Sequence, residues 1–255
     1  MGGPVFKDHF SALAGQYSAF RPTYPARLAQ YIRGLCTAHG LAWDCACGSG
    51  QATVGLAERF DRVIATDASA KQIAAAPAIA NVEYRVARAE DSGLESNSAD
   101  LVVVAQSAHW FDLPAFYAEA DRVLKPGGIL SLWTYGNLAV EGEEVDALVR
   151  QFYSETVGPY WPPERKLVED GYRTLSFPYA EIPAPSFDVE ARWSLAELLG
   201  YMRSWSATGG YTRALGTDPV AAVAGVLESA WQDPQRPRLV RWPMALRTGR
   251  KPPAT

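Results

Sequence analysis

The stretch WDCACGSGQATVGLA, Trp43–Ala57, is an apolar run that meets an acid, turns through Gly48 and Gly50, and continues as a helix-forming segment. A strand that passes through a tight glycine turn into a helix is the opening unit of a parallel α/β sheet. A zinc site is excluded by spacing. Cys45 and Cys47 flank one residue, whereas structural zinc sites separate cysteines by two to four and need a second pair or histidines. With only His9, His39 and His109 in the chain, no metal is expected, and both cysteines read as small packing residues. A dinucleotide-binding turn fits less well than it first promises. Its third glycine would fall at Thr53, and Asp44 would sit beside a doubly charged pyrophosphate.

Alternation of strand and helix continues on both sides of this unit. PARLAQYIRGLCTAHG places Leu28, Ile32 and Leu35 on one helical face, with Pro25 in the first turn and Gly40 at the stop. RVIATD is a buried strand ending at Asp67, and Ser69 with Gln72 has the spacing of a capping box. VEYRVA alternates as a strand, and ADLVVVAQ is an uninterrupted apolar strand of the parallel-sheet kind, ending at Gln106. Asp112 and Pro114 open a helix through LPAFYAEADRVL, which KPGG breaks before the strand ILSLWTY. From Asn137 to about Asp188 the pattern loosens into a stretch rich in Pro, Tyr and Trp, the signature of a loop-like lid. FDVEARW then reads as a strand, and SLAELLGYMRSWSA and DPVAAVAGVLESAWQ as helices. RLVRWPMALRTGR alternates, but Pro243 suits an edge strand. The expected architecture is an α/β Rossmann-like, doubly wound sheet in one domain. Within 1–255, a helical cap spans 1–40, a cofactor-binding core 41–136, a lid or substrate insertion 137–186, and completing strands and helices 187–255.

Composition limits what such a domain can do. Hydrophobic residues are 48% and charged residues 20%, which is a globular balance. A net charge of −4 argues against a nucleic-acid or anionic-membrane footprint. No apolar run approaches the roughly 20 residues of a membrane span, and the N-terminus lacks a signal-peptide core. Three cysteines, Cys36, Cys45 and Cys47, cannot make a disulfide framework. A cytoplasmic monomer or homodimer acting on a small molecule is the expectation.

An acid at the mouth of the glycine turn suits S-adenosylmethionine, a ligand with a sulfonium, an ammonium, one carboxylate and no phosphate. DCACGSG resembles the D-x-G-x-G-x-G loop of class I methyltransferases, with Ala46 in place of the first glycine; that is acceptable if its φ is negative. LKPGGILSLW is similar to the corner before the fifth strand in the type 11 methyltransferase group. YSAFRPTYP, AHWFD, GPYW and YMRSWSA together resemble the subgroup that contains trans-aconitate methyltransferase, so the resemblance runs from Tyr17 to the last strand. It implies the class I fold, seven strands with a final antiparallel edge pair, and S-adenosylmethionine converted to S-adenosylhomocysteine. The cofactor contacts implied are Tyr17, Asp44, Ala46, Gly48, Gly50, Asp67, Ala68, Ala89, Glu90 and Gln106. Asp67 would take the ribose diol or cap the next helix. Ala89 and Glu90 would take adenine or form a solvated charged loop.

Methyl transfer from a sulfonium needs alignment and exclusion of water, and a base only when the nucleophile arrives protonated. His109 is the candidate base or substrate donor; orienting Trp110 or capping the next helix is its structural alternative. Gln106 stands beside the reacting centre, and Arg21 could clamp a carboxylate or make a surface ion pair. Tyr24, Trp110, Trp133, Tyr160, Trp161, Arg165 and Trp205 are the expected acceptor walls. They suit a small, partly apolar, anionic acceptor, with carboxylate O-methylation as the favoured reaction. A non-catalytic protein that binds the same cofactor, and an NAD(P)-dependent oxidoreductase on the same sheet, are the alternatives.

Overall fold

The computed structural model describes residues 23–253. Helix α1 (Ala26–Leu35) leads into β1 (Leu41–Cys45), α2 (Gln51–Ala57), β2 (Arg62–Asp67), α3 (Ala70–Ala74), β3 (Val82–Val86), β4 (Ala99–Ala105), α4 (Leu113–Val123) and β5 (Leu124–Tyr135). The second half comprises β6 (Ala139–Val140), α5 (Glu143–Gln151), α6 (Arg165–Glu169), β7 (Phe187–Trp193), α7 (Leu195–Arg203), α8 (Ser206–Leu215), α9 (Pro219–Trp231) and β8 (Arg238–Arg250). The sheet order is β3-β2-β1-β4-β5-β8-β6, with β7 also paired to β8. β1 to β5 are parallel, and β8 runs antiparallel to β5, β6 and β7. This is the class I methyltransferase arrangement expected, with eight strands instead of seven because the two-residue β6 adds to the antiparallel end.

Local sequence explains most boundaries. Asp112 accepts the Ala115 N–H at the start of α4, and Ser194 and Glu197 close a reciprocal capping box at α7. Ser69 caps α3 through the Gln72 N–H. α1 stops at Leu35, short of Gly40, where a Cβ would come within 3.3 Å of Asp100 Oδ2.

Three expectations are corrected. The stretch 137–186 is helical in its first part and loop-like only from 170 to 186: α5 buries Val145 and Val149, the succeeding π turn buries Phe152, and α6 follows. That i, i+4, i+7 spacing is a helical face running into the turn, obscured by the Pro- and Trp-rich residues after it. A separate helix, α8, follows α7 despite Gly209 and Gly210. β8 is not an edge strand, since it pairs on both sides. Pro243 is tolerated because it lies where the β5 ladder ends at Met244 and the β6 ladder begins at Arg241, its carbonyl taking the Gly136 N–H at 3.1 Å. The missing N–H thus falls at a break in the pairing.

One face of the sheet packs Leu28, Ile32 and Leu56 from α1 and α2 on Leu101, Val103 and Ile129. The other packs Phe116, Ala120 and Val123 from α4 on Trp43, Val102 and Leu130, with Val168 and Tyr172 joining them. A third cluster unites α5, α7 and α9 with Val189, Val240 and Trp242 of the antiparallel strands. Among the described residues, no helix is long and apolar enough to cross a membrane.

Candidate active site

The carboxyl ends of β1, β2, β4 and β5 share one edge of the sheet, the edge where open α/β folds bind ligands. After Cys45 the chain turns through Ala46 (φ +54°), Gly48 (φ +57°) and Gly50 (φ +91°). The positive φ of Ala46 overturns the expectation of a negative one. The alternating left-handed turn must begin directly after β1, and the Ala46 carbonyl is met by the Ser107 hydroxyl at 3.4 Å. A left-handed alanine costs roughly 1–2 kcal/mol. A Cβ on Gly50 would meet the Tyr84 hydroxyl at 3.0 Å, whereas, among the described residues, one on Gly48 would meet only Gln51 Oε1 at 3.5 Å. Among the described residues the turn is therefore packed behind Gly50 and open at Gly48.

Two acids flank this turn. Asp44 is fully buried; its Oδ2 accepts the Thr53 hydroxyl at 2.6 Å, and its Oδ1 has no hydrogen-bond partner among the described residues. Burial pushes its carboxyl up to about 7, against the smaller opposing effect of Thr53. Asp67 accepts the Gly48 N–H at 2.9 Å and the Ser69 N–H at 2.8 Å. These two amides orient the carboxylate at the end of β2. Ala68 follows, half-buried. Burial raises the Cys45 and Cys47 thiols well above their usual range, and both stay protonated packing groups. Cys47 lies in the turn itself, not on the strand.

Ala89 is buried, and Glu90 accepts Arg88 Nε at 3.2 Å and the Asp112 N–H at 3.3 Å. Gln106 follows β4 with φ +63°. Its Oε1 accepts the Thr134 hydroxyl at 2.8 Å and its Nε2 lies 3.5 Å from the Tyr135 carbonyl, so β5 fixes the amide.

His109 sits on a short 3-10 turn, Ala108–Trp110, with Nδ1 2.8 Å from the Tyr172 hydroxyl and its ring 4.6 Å from that of the half-exposed Trp110. Burial, and then the Arg165 charge, lower its pKa to about 4, so the imidazole is neutral at pH 7. Arg165 donates from Nε to the Tyr153 hydroxyl (2.7 Å) and from Nη2 to Asn137 (3.0 Å), and its guanidinium lies 4.8 Å from the Trp161 ring centroid. Tyr153 also bonds Glu169. Trp161 stacks on Tyr153, and Tyr160 meets Tyr211 edge-on. Trp205 is buried among Phe152, Tyr153, Trp161 and Tyr201 and packs the wall from behind. Trp133 is buried on the α1 face of the sheet, edge-on to Tyr24; its Nε1 has no partner among the described residues. The structure thus gathers His109, Trp110, Tyr172, Arg165 and Trp161 around the β4–β5 end. Tyr17 and Arg21 lie outside the described residues.

Thr53, Tyr153, Tyr172 and Thr134 did not emerge from the sequence. Thr53 alone had a local signal, facing back to Asp44 from the first turns of the helix that the same motif opens. Among the described residues, no group of three or more His, Cys, Asp or Glu side chains is placed to hold a metal.

Residues 43–132 match the family described as a methyltransferase domain. A protein of Dictyostelium discoideum, described as a methyltransferase, is 36% identical over 230 residues, covering 89% of this chain and 88% of its own. A solved structure from Anaeromyxobacter dehalogenans, described as a type II methyltransferase, is 47% identical with a TM-score of 0.87, covering 92% of this chain and 100% of its own. A Bacillus subtilis protein at 15% identity and TM-score 0.52 shares the fold. Full-length likeness in sequence and in structure, joined to the glycine turn and its flanking acids, sets the oxidoreductase alternative aside: the chain belongs to the class I S-adenosylmethionine-dependent methyltransferases.

Proposed function

We propose that this enzyme methylates a carboxylate oxygen of a small, partly apolar acceptor. We further propose that Asp44, Ala46, Gly48, Gly50, Asp67, Ala68, Ala89, Glu90 and Gln106 form the cofactor site. The observation that carries the cofactor assignment is the buried, half-satisfied Asp44 beside an open glycine turn. An orphaned acid is costly, and a cationic ligand relieves it where a pyrophosphate would aggravate it. When bound, S-adenosylmethionine supplies a methyl group on a sulfonium leaving group. The chain's own part is to hold that ligand through the Asp67 carboxylate and the turn amides, and to align the acceptor.

The acceptor side follows from the same edge. A carboxylate arrives ionised and needs no base, which matches a histidine held neutral by burial. Arg165, rigid between aromatic rings, supplies positive charge, and Trp110, Tyr160 and Trp161 with the segment 137–186 exclude water. The resemblance to the trans-aconitate subgroup supports the same substrate class.

A methyl-tritiated cofactor offered with panels of carboxylic acids, phenols, amines and thiols tests this reading. The expected product is a base-labile methyl ester. Transfer confined to phenols, amines or thiols, giving base-stable products, would overturn it.

A further inference from the structure

We propose that Tyr153 is a positioning residue for acceptor recognition. With Glu169 it holds the Arg165 guanidinium so that the end-on N–H pair, one from Nη1 and one from Nη2, receives a carboxylate of the acceptor. The inference rests on the reading of the acceptor as a carboxylate, and it assigns specificity for that charge to one edge of one side chain.

The directions of these bonds follow from the groups themselves. A guanidinium can only donate, so the Tyr153 oxygen accepts Arg165 Nε–H at 2.7 Å. A carboxylate only accepts, so the phenolic hydrogen goes to Glu169 Oε1. Burial pushes the Tyr153 phenol up, which keeps that hydrogen in place. Nη2 donates to Asn137 Oδ1 at 3.0 Å. Nε–H and the neighbouring hydrogen of Nη2 form the side-on edge of the guanidinium, and that edge is thus occupied. Among the described residues, Nη1 makes no hydrogen bond. The parallel N–H pair at the tip matches the two oxygens of a carboxylate. The Arg165 side chain is 23% exposed, enough for a ligand to reach it.

The surroundings make this guanidinium a fixed group. It lies 5.5 Å from the Tyr153 ring centroid and 4.8 Å from that of Trp161. The two rings are 4.8 Å apart, and Trp161 Nε1 donates to the Tyr153 carbonyl at 3.3 Å. Tyr153 belongs to the π turn Phe152–Thr156, which the Val157 N–H closes on the Phe152 carbonyl at 3.0 Å and which Phe152 anchors in the core. Glu169 follows Arg165 by one turn of α6 and lies 3.9 Å from its Nε, so the acid sits on the occupied edge. α6 packs against β5 and the Ala108–Trp110 turn, and the Arg165 charge is felt at His109. Removing the Tyr153 hydroxyl alone leaves both rings in place and frees only the orientation of the guanidinium.

The test is a nitrogen spectrum of the arginine side chains in the full chain with S-adenosylhomocysteine present, and Arg165→Lys identifies the Arg165 signals. Benzoate is the carboxylate probe and benzamide its neutral isostere. In wild type the Arg165 Nε–H should exchange slowly with water, and benzoate but not benzamide should shift the Arg165 Nη signals. Tyr153→Phe should speed Nε–H exchange about tenfold and weaken benzoate about tenfold, the effect of one lost charge-assisted hydrogen bond, with benzamide within about twofold of wild type. Arg165→Lys keeps the charge without the fork and should also weaken benzoate about tenfold. Equal loss of benzoate and benzamide in Tyr153→Phe, unchanged Nε–H exchange, or a wild-type Arg165 indifferent to benzoate would overturn the inference. Should Tyr153→Phe not fold, Glu169→Gln takes its place with the same directions of change, and no change in it would count as refutation. Methyl esters formed equally well by wild type and Tyr153→Phe would sink this inference and leave the acceptor class standing. A wild type that holds benzoate through Arg165 yet esterifies no acid would count against the acceptor class and not against the Arg165 site.

Discussion

Burial shifts both Asp44 and His109 towards their neutral forms, the carboxyl upward and the imidazole downward. Asp44 titrates at about 7 in the folded chain against 3.8 ordinarily. The folded state therefore holds a proton that the unfolded chain sheds first, and this contribution is lost as pH rises from 3.8 through 7. Asp44→Asn should gain stability over wild type progressively across that window, reaching its full advantage above pH 7 in urea melts, while losing cofactor affinity. His109 works in the opposite sense, at about 4 against 6.5. The unfolded chain takes up its proton first, so wild type loses stability between pH 6.5 and 4, a fall that His109→Gln should flatten. Ala46→Gly should relieve the left-handed strain and stabilise the chain by about 1 kcal/mol, raising Tm by roughly 2–4 °C. At this scale the acids Asp44 and Asp67 were readable because each lies at a strand end marked by local pattern. The φ of Ala46 was not, because it depends on how the whole turn closes, and Tyr172 was not, because its partner is 63 positions away.

Among the elements, the five-residue α6 begins with Arg165, and Tyr172, whose hydroxyl lies 2.8 Å from His109 Nδ1, follows just past its end. Gly171 ends it with φ +61°, and a Cβ there would come within 2.8 Å of Ala245 Cβ on β8. Gly171→Ala should cost about 2 kcal/mol from left-handed strain and overpacking, lowering Tm by roughly 4–8 °C. The same change should disturb His109 through Tyr172, so its nitrogen shifts should move with the loss of stability. The sequence showed α4 through its Asp112 and Pro114 start, since capping acts within three residues, and α7 and α9 as helical stretches. α5 was masked by the Pro- and Trp-rich run that follows it. β8 was misplaced because Pro243 is unfavourable inside a continuous ladder, and only the neighbouring strands reveal that the ladder breaks there.

Across the molecule, five parallel strands carry the proposed cofactor side, and the antiparallel end has an aromatic core cluster of its own. The parallel half was legible because each strand–helix unit is local and buried strands read as plain apolar runs. The second half was less so, because its core joins α5, α7 and α9 across long sequence separations, which no window of residues displays. The central claim is that the turn after β1 and the acid after β2 hold the cofactor of this methyltransferase. The most direct test is calorimetric titration of S-adenosylmethionine into wild type and Asp67→Ala side by side. Loss of charge-assisted hydrogen bonds worth about 1.5–3 kcal/mol predicts at least tenfold weaker binding in the variant. Equal affinities in the two proteins would contradict the account.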